Sequence, residues 1–174
     1  IKKLHRLEPE FHDAKLALGL YNYWRTAITE RVPYLPRFGN HREEGLRQMR
    51  EARMHGFLCS APASMALTYS YVEGRKWAEA TSEAQWAQAR YPNNIINQMT
   101  LARVYRQKKD YSKALETFER VLQIDPDNKR VHFHIGEVHY KSRNSNDKAK
   151  ASYTHYLSTA PPPELRAHTY YRLA

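Results

Sequence analysis

Cysteine is nearly absent from this 174-residue chain: one thiol, which leaves no partner for an intramolecular disulfide. A single thiol is also too few for a multi-cysteine zinc or iron–sulfur site. No run of 18 apolar residues occurs, so no stretch reads as a membrane-spanning helix. Six glycines and nine prolines are too few for a collagenous or low-complexity chain. Acidic residues are in the minority, with 18 Asp plus Glu against 28 Lys plus Arg, a net charge of +10. Catalytic signatures are missing as well. There is no Gly-x-x-x-x-Gly-Lys-Ser/Thr phosphate loop, no Gly-x-Ser-x-Gly elbow and no His-Glu-x-x-His helix.

What is present is a rhythm. Leu67, Leu101 and Ile135 lie 34 residues apart at both steps, as do Tyr71, Tyr105 and His139. Ala80, Ala114 and Ala149 keep the same interval with one extra residue in the last step, and so do Pro92, Pro126 and Pro161. The extra residue falls in the polar stretch Arg143-Asn144-Ser145-Asn146-Asp147, which reads as a turn. Within one period, Leu101, Ala102 and Tyr105 share a helical face, and Ala114, Phe118 and Val121 share another. Each period is therefore two antiparallel helices. Its small residues let the helices approach closely, and its aromatic residues fill the wedge to the neighbour. Pro126 cannot continue a helix, and Asp127-Asn128 supply the next N-cap. One such hairpin cannot bury its apolar face alone, so neighbours must stack.

The unit from Ile95 to Asn128 carries Leu101-Ala102, Tyr105, Asp110-Tyr111, Ala114, Phe118 and Ile124-Asp125-Pro126-Asp127-Asn128. It resembles the tetratricopeptide repeat (TPR) family closely. The unit at 129–163 keeps Ile135-Gly136, Ala149, Tyr153 and Pro161. The unit at 61–94 keeps Leu67, Tyr71, Trp77, Ala80 and Pro92 but has Thr68 at the small position and Ala84 at the aromatic one. The resemblance implies an all-α fold, a right-handed superhelical solenoid of antiparallel helix pairs, working as a non-catalytic scaffold with no cofactor or metal.

The flanks are less regular. Glu8-Pro9-Glu10 reads as a helix start, and Leu16, Leu18, Leu20, Tyr21 and Trp24 make the following helix strongly apolar. Two prolines in the stretch from Arg31 to Asn40 interrupt it, and a second helix is expected over 41–55. Leu18-Gly19 is similar to the repeat's small-residue pair, and Gly45 lies 35 residues before Ala80. Residues 1–60 are read as a degenerate TPR with an inserted Pro-rich loop, the alternative being an unrelated capping hairpin. Residues 164–174 are read as a capping helix or the first helix of a further repeat. Ile1 at the start and the apolar run Tyr170 to Ala174 at the end favour a fragment of a longer protein. The compartment stays open, the cytoplasm being slightly favoured as an expectation.

Several residue types invite a chemical role. Cys59 precedes an expected helix, where a thiol pKa can fall, but the plainer reading is a packing residue. His132, His134, His139 and His155 cluster in the third unit. His132 and His139 share a face while His134 diverges from them, and packing histidines are favoured over metal ligands. Glu43-Glu44 and Glu116/Glu119 read as solubilising charges.

The resemblance places ligand contacts on the first helix of each unit, at its groove-facing positions. Carried onto this chain, they are Met65, Tyr69, Met99, Arg103, Arg106, Arg130, Phe133, Glu137, Tyr140 and Lys141. Methionine adapts to varied apolar anchors, and arginine forks onto carboxylate or phosphate. The expected partner is a protein or peptide with apolar anchors and acidic groups. TPR domains that clamp a chaperone's terminal carboxylate use five positions held here by Met65, Tyr69, Thr100, Arg130 and His134. Only the last two match, loosely, so that subtype is not expected. Two other readings are weighed: self-association, and RNA binding by the two basic ends. Nucleic acid ranks below protein, because Tyr71, Tyr105, Tyr111 and Tyr153 are already committed to the core.

Overall fold

A computed structural model describes residues 11–37, 39–142 and 146–173. The helix start expected at Glu8-Pro9-Glu10 lies outside the described residues, as do three positions of the turn before Asn146. Among the described residues all regular structure is helical. The helices are α1 (His12–Arg31), α2 (Arg42–His55), α3 (Ser60–Glu73), α4 (Trp77–Arg90), α5 (Ile95–Gln107), α6 (Tyr111–Ile124), α7 (Lys129–Ser142), α8 (Asn146–Ser158) and α9 (Pro163–Leu173). None is long and apolar enough to cross a membrane.

The chain divides into two compact units, Ile1–Arg90 and Tyr91–Ala174. In each, consecutive helices pack in chain order. The first unit pairs α1 with α2, α2 with α3 and α3 with α4, and α1 also touches α3. The second pairs α5 with α6, α6 with α7, α7 with α8 and α8 with α9.

The repeat landmarks do the structural work expected of them. Leu67, Ala80, Leu101, Ala102, Ala114, Phe118, Val121, Ala149 and Tyr153 are all buried. Ala84, which replaces the aromatic residue, is buried too. Tyr111, expected in the core, is only half-buried. Asn94 and Asp110 cap α5 and α6, each accepting from the amide three residues on, Asn97 and Lys113. Buried threonines return their hydroxyls to their own helix: Thr68 to Ser64 O (2.9 Å), Thr100 to Ile96 O (2.7 Å) and Thr169 to Leu165 O (2.7 Å).

The α1–α2 hairpin is closed by glycine. Lys15 meets Glu51, Asn22 meets Gln48 and Thr26 meets His41, so the helices run antiparallel. They cross where Gly19 faces Gly45: a Cβ on Gly45 would sit 2.7 Å from both Gly19 O and Tyr23 N. Gly136 does the same for α7 and α8, since a Cβ there would lie 2.7 Å from the Tyr153 ring. At the tight turn within a hairpin, Arg75 and Lys109 occupy equivalent places one period apart, and both have positive φ (56° and 69°). The repeat thus reproduces a left-handed backbone position that its residue types do not favour.

Two substitutions follow with opposite signs. Gly45→Ala gains about 1 kcal/mol of helix propensity yet meets backbone atoms that cannot move independently, so a net loss of about 2 kcal/mol or more is expected. Lys109→Gly relieves the left-handed strain, for an expected gain of about 0.5–1 kcal/mol. Urea unfolding of both variants against the parent protein checks this.

Candidate functional site

The expected contact residues are best described unit by unit. In the first unit, Met65 and Tyr69 lie one turn apart on α3, and both are exposed. Glu73 follows on the same helix and has a structural role. Its side chain is 8% exposed and holds Arg42 and Arg31 by ion pairs. The Tyr23 hydroxyl can donate to Glu73 Oε2 (2.7 Å) or to Ser70 O (2.6 Å), and Arg42 also reaches Glu30. Burial raises the Glu73 pKa, but the bonds from Arg42 and Tyr23 more than offset this and leave it low. Three helices are tied together here, with every strong donor facing an acceptor.

The second unit is balanced differently. Arg103 and Arg106 project from α5 toward α7, where they meet His134. Arg103 Nη2 lies 3.3 Å from His134 Nε2, and Arg106 Nη1 lies 3.5 Å from His134 Nδ1. The imidazole stacks on Phe118 of α6 at 5.6 Å. Burial pushes the His134 pKa down to about 3, helped by the charges of Arg103, Arg106 and Arg130. The ring is therefore neutral near pH 7 and accepts a hydrogen bond at one nitrogen only. The other nitrogen carries a proton, so one of the two guanidiniums faces a donor. Nε of Arg103 and Nε of Arg106 are buried as well, without a hydrogen-bond partner. Among the described residues, neither arginine has a carboxylate within ion-pair distance. Arg130, one turn before His134 on α7, is exposed.

Other expected contact residues meet side chains of α8 and α9, with Tyr140 and Lys141 still exposed. Glu137 is buried rather than open to a ligand. It accepts from the Tyr153 hydroxyl (2.9 Å) and pairs with Arg172 of α9, whose Nε lies 2.9 Å away without hydrogen-bond alignment. Lys141 stands 3.9 Å from the second carboxylate oxygen. Tyr140 lies under the Arg172 guanidinium, and Phe133 packs against His168 of α9 as well as Tyr153 and Tyr156. The spacing of α7 alone gave no sign of this, because the occupying residues come from the irregular tail after Pro161. Met99 is half-buried.

The remaining candidates take the plainer reading. Cys59 has a raised thiol pKa, from burial first and then the nearby Asp13 carboxylate, which is the reverse of activation. Asp13 also accepts from the Cys59 amide (2.9 Å), so it secures the start of α3. His132 packs edge-on against His155 at 4.1 Å. No group of three or more His, Cys, Asp or Glu able to hold a metal ion occurs among the described residues. Glu43 and Glu44 pair with Lys76 and Arg47 at the surface, and Glu116 and Glu119 are exposed.

Helix hairpins packed in chain order, with charged and apolar residues left on their first helices, define a helical-repeat protein. Residues 102–142 match the family described as TPR repeat. The fold of the chain is similar to a crystal structure of MamA (TM-score 0.66, 20% identity, covering 96% of this chain and 86% of that one). It is also similar to TTC0263, a thermophilic TPR protein in Thermus thermophilus (TM-score 0.61, 20% identity, 94% and 83% covered). No curated protein matches in sequence.

The buried histidine makes stability depend on pH. Below the ordinary value of 6.5 the unfolded chain takes up a proton at this side chain, whereas the folded chain does so only near 3. His132 and His139 are shifted in the same direction by burial. Folding free energy is thus held above pH 6.5 and lost as pH falls, at up to about 1.4 kcal/mol per pH unit for one group. Urea unfolding at pH 7 and pH 5 is expected to show a loss of about 2 kcal/mol from His134 alone. His134→Phe, which keeps a ring against Phe118, is expected to remove that part of the pH dependence.

Proposed function

We propose that this chain works as a non-catalytic scaffold holding an acidic segment of a partner protein against the first helices of its repeats. Met65 and Tyr69 offer apolar anchorage in the first unit. Met99, Arg103, Arg106 and Arg130 offer mixed apolar and cationic contact in the second. Tyr140 and Lys141 are exposed and extend that surface, while Phe133 and Glu137 hold α7 through the side chains they pack against. The α1–α2 hairpin is a degenerate repeat in this reading, its Gly19–Gly45 approach standing where later repeats use their small residues.

The observation that carries the reading is the pair of buried Nε groups of Arg103 and Arg106, neither of which has a hydrogen-bond partner; Glu137 acts on Arg106 only through its charge. A protein that places two guanidiniums around one neutral imidazole leaves donors in want of oxygen acceptors. A partner carboxylate or similar anion supplies them with bidentate geometry. The test is Arg103→Glu combined with Arg130→Glu, in the full-length protein, measured against the natural partner recovered from native lysate. A loss of about tenfold or more is expected, with the circular dichroism spectrum unchanged. Undiminished affinity would remove the assignment.

A further inference from the structure

We infer that Arg103 and Arg106, which flank His134, form a site for a phosphoryl dianion carried by the partner segment. The inference rests on the partner-binding reading and specifies the chemistry of its anion. It begins from a count of donors and acceptors. Each guanidinium carries five N–H groups, and the acceptor facing those of Arg103 and Arg106 is one imidazole nitrogen. The carboxylate closest in sequence to this cluster on α7, Glu137, is already engaged by Tyr153 and Arg172. A ligand that completes the site must therefore bring several oxygens at once.

Charge narrows the class. Two guanidiniums, those of Arg103 and Arg106, flank His134, whose ring stacks on Phe118 of α6. One carboxylate would cancel one of these charges and offer two oxygens. A phosphomonoester carries nearly two negative charges near pH 7 and offers three strong acceptor oxygens. Guanidinium forks suit it in particular, because each can bind two oxygens side by side. The half-buried setting of Arg103 and Arg106 keeps such contacts less screened than on an open surface. The site is also pre-formed: Phe118 fixes the imidazole, and the imidazole spaces the two guanidiniums.

The probe is inorganic phosphate, added to the full chain at pH 7.5 and constant ionic strength, with the His134 ring and the arginine Nε–H groups followed by NMR. A saturable shift of the His134 ring is expected, along with new protected Nε–H signals from Arg103 and Arg106. Acetate is expected to bind at least about tenfold more weakly, in line with its single charge. Arg103→Gln and Arg106→Gln are each expected to weaken phosphate about tenfold. Arg166→Gln, on exposed α9 surface, is expected to leave it unchanged. Arg103→Lys, which keeps the charge but loses the fork, guards against misfolding and is expected to fall between. A His134 ring unmoved by phosphate, or acetate equal to phosphate, overturns the inference. If the Arg103→Glu/Arg130→Glu protein loses its partner while phosphate still leaves His134 unmoved, the scaffold reading stands and the phosphoryl assignment fails. If phosphate binds as expected and partner affinity survives the double substitution, the scaffold reading at this face fails instead.

Discussion

The contact on which the architecture depends is the close approach of two helix backbones inside each hairpin. At Gly19 and Gly45 the approach is so tight that either Cβ would collide with carbonyl or amide atoms of the other helix. At Gly136 the neighbour is an aromatic ring, and Ala102 and Ala114, both fully buried, supply small side chains in the unit between. Short interaxial distance lets Leu67, Leu101, Phe118 and Tyr153 bury completely or nearly so with modest side chains. It also fixes which faces remain outside. Once the inner stripe of a first helix is spent on its partner, Met65, Tyr69 and Arg130 have no core to enter and stay exposed.

The two units handle buried charge in opposite ways. Around Glu73, two arginines and a tyrosine converge on one carboxylate, and Arg42 has a second carboxylate in Glu30. Such a cluster is self-sufficient; removing one partner would strand the others. Around His134, two arginines converge on a ring that has one acceptor to offer. Desolvated donors without acceptors cost stability, commonly about 1–3 kcal/mol each. Structure that contributes nothing to folding at a cost of this size is a mark of binding surface. The contrast between the two clusters therefore separates an ion-pair network whose charges are matched from one whose donors outnumber its acceptors.

Much of the fold was legible in the chain. A fixed interval of small, aromatic and proline residues marks hairpins because each type has one steric duty, and that duty recurs once per hairpin. The first two helices were legible from the prolines between them: Pro33 and Pro36 stop one helix before the next begins at Arg42. The candidate site was legible only in part. Spacing along α7 shows which residues share a face, and it correctly separates His134 from His132 and His139. It does not show what approaches that face from another helix. The burial of Glu137 beneath Arg172 and the clamping of His134 by Arg103 and Arg106 are cross-helix events, set by packing angles that no local period encodes. The left-handed turns at Arg75 and Lys109 escaped notice because neither is a glycine or asparagine, the residues that usually mark such positions.

The protonation behaviour of the chain bears on binding against catalysis. General acid–base work needs a group that exchanges its proton near the working pH. Most of the shifted groups here move away from neutrality, Arg106 being an exception that burial lowers. His132, His134 and His139 move down and stay neutral, while the Cys59 thiol moves up and stays protonated. Glu73 moves down and stays charged, and Arg42 moves up. Each displacement locks one charge state in place. A surface whose charges are locked presents a constant electrostatic pattern to whatever approaches, which suits recognition of a fixed anion. Near the arginine cluster the locked neutrality of His134 has a further consequence: it withholds a fourth positive charge that would otherwise repel Arg103 and Arg106.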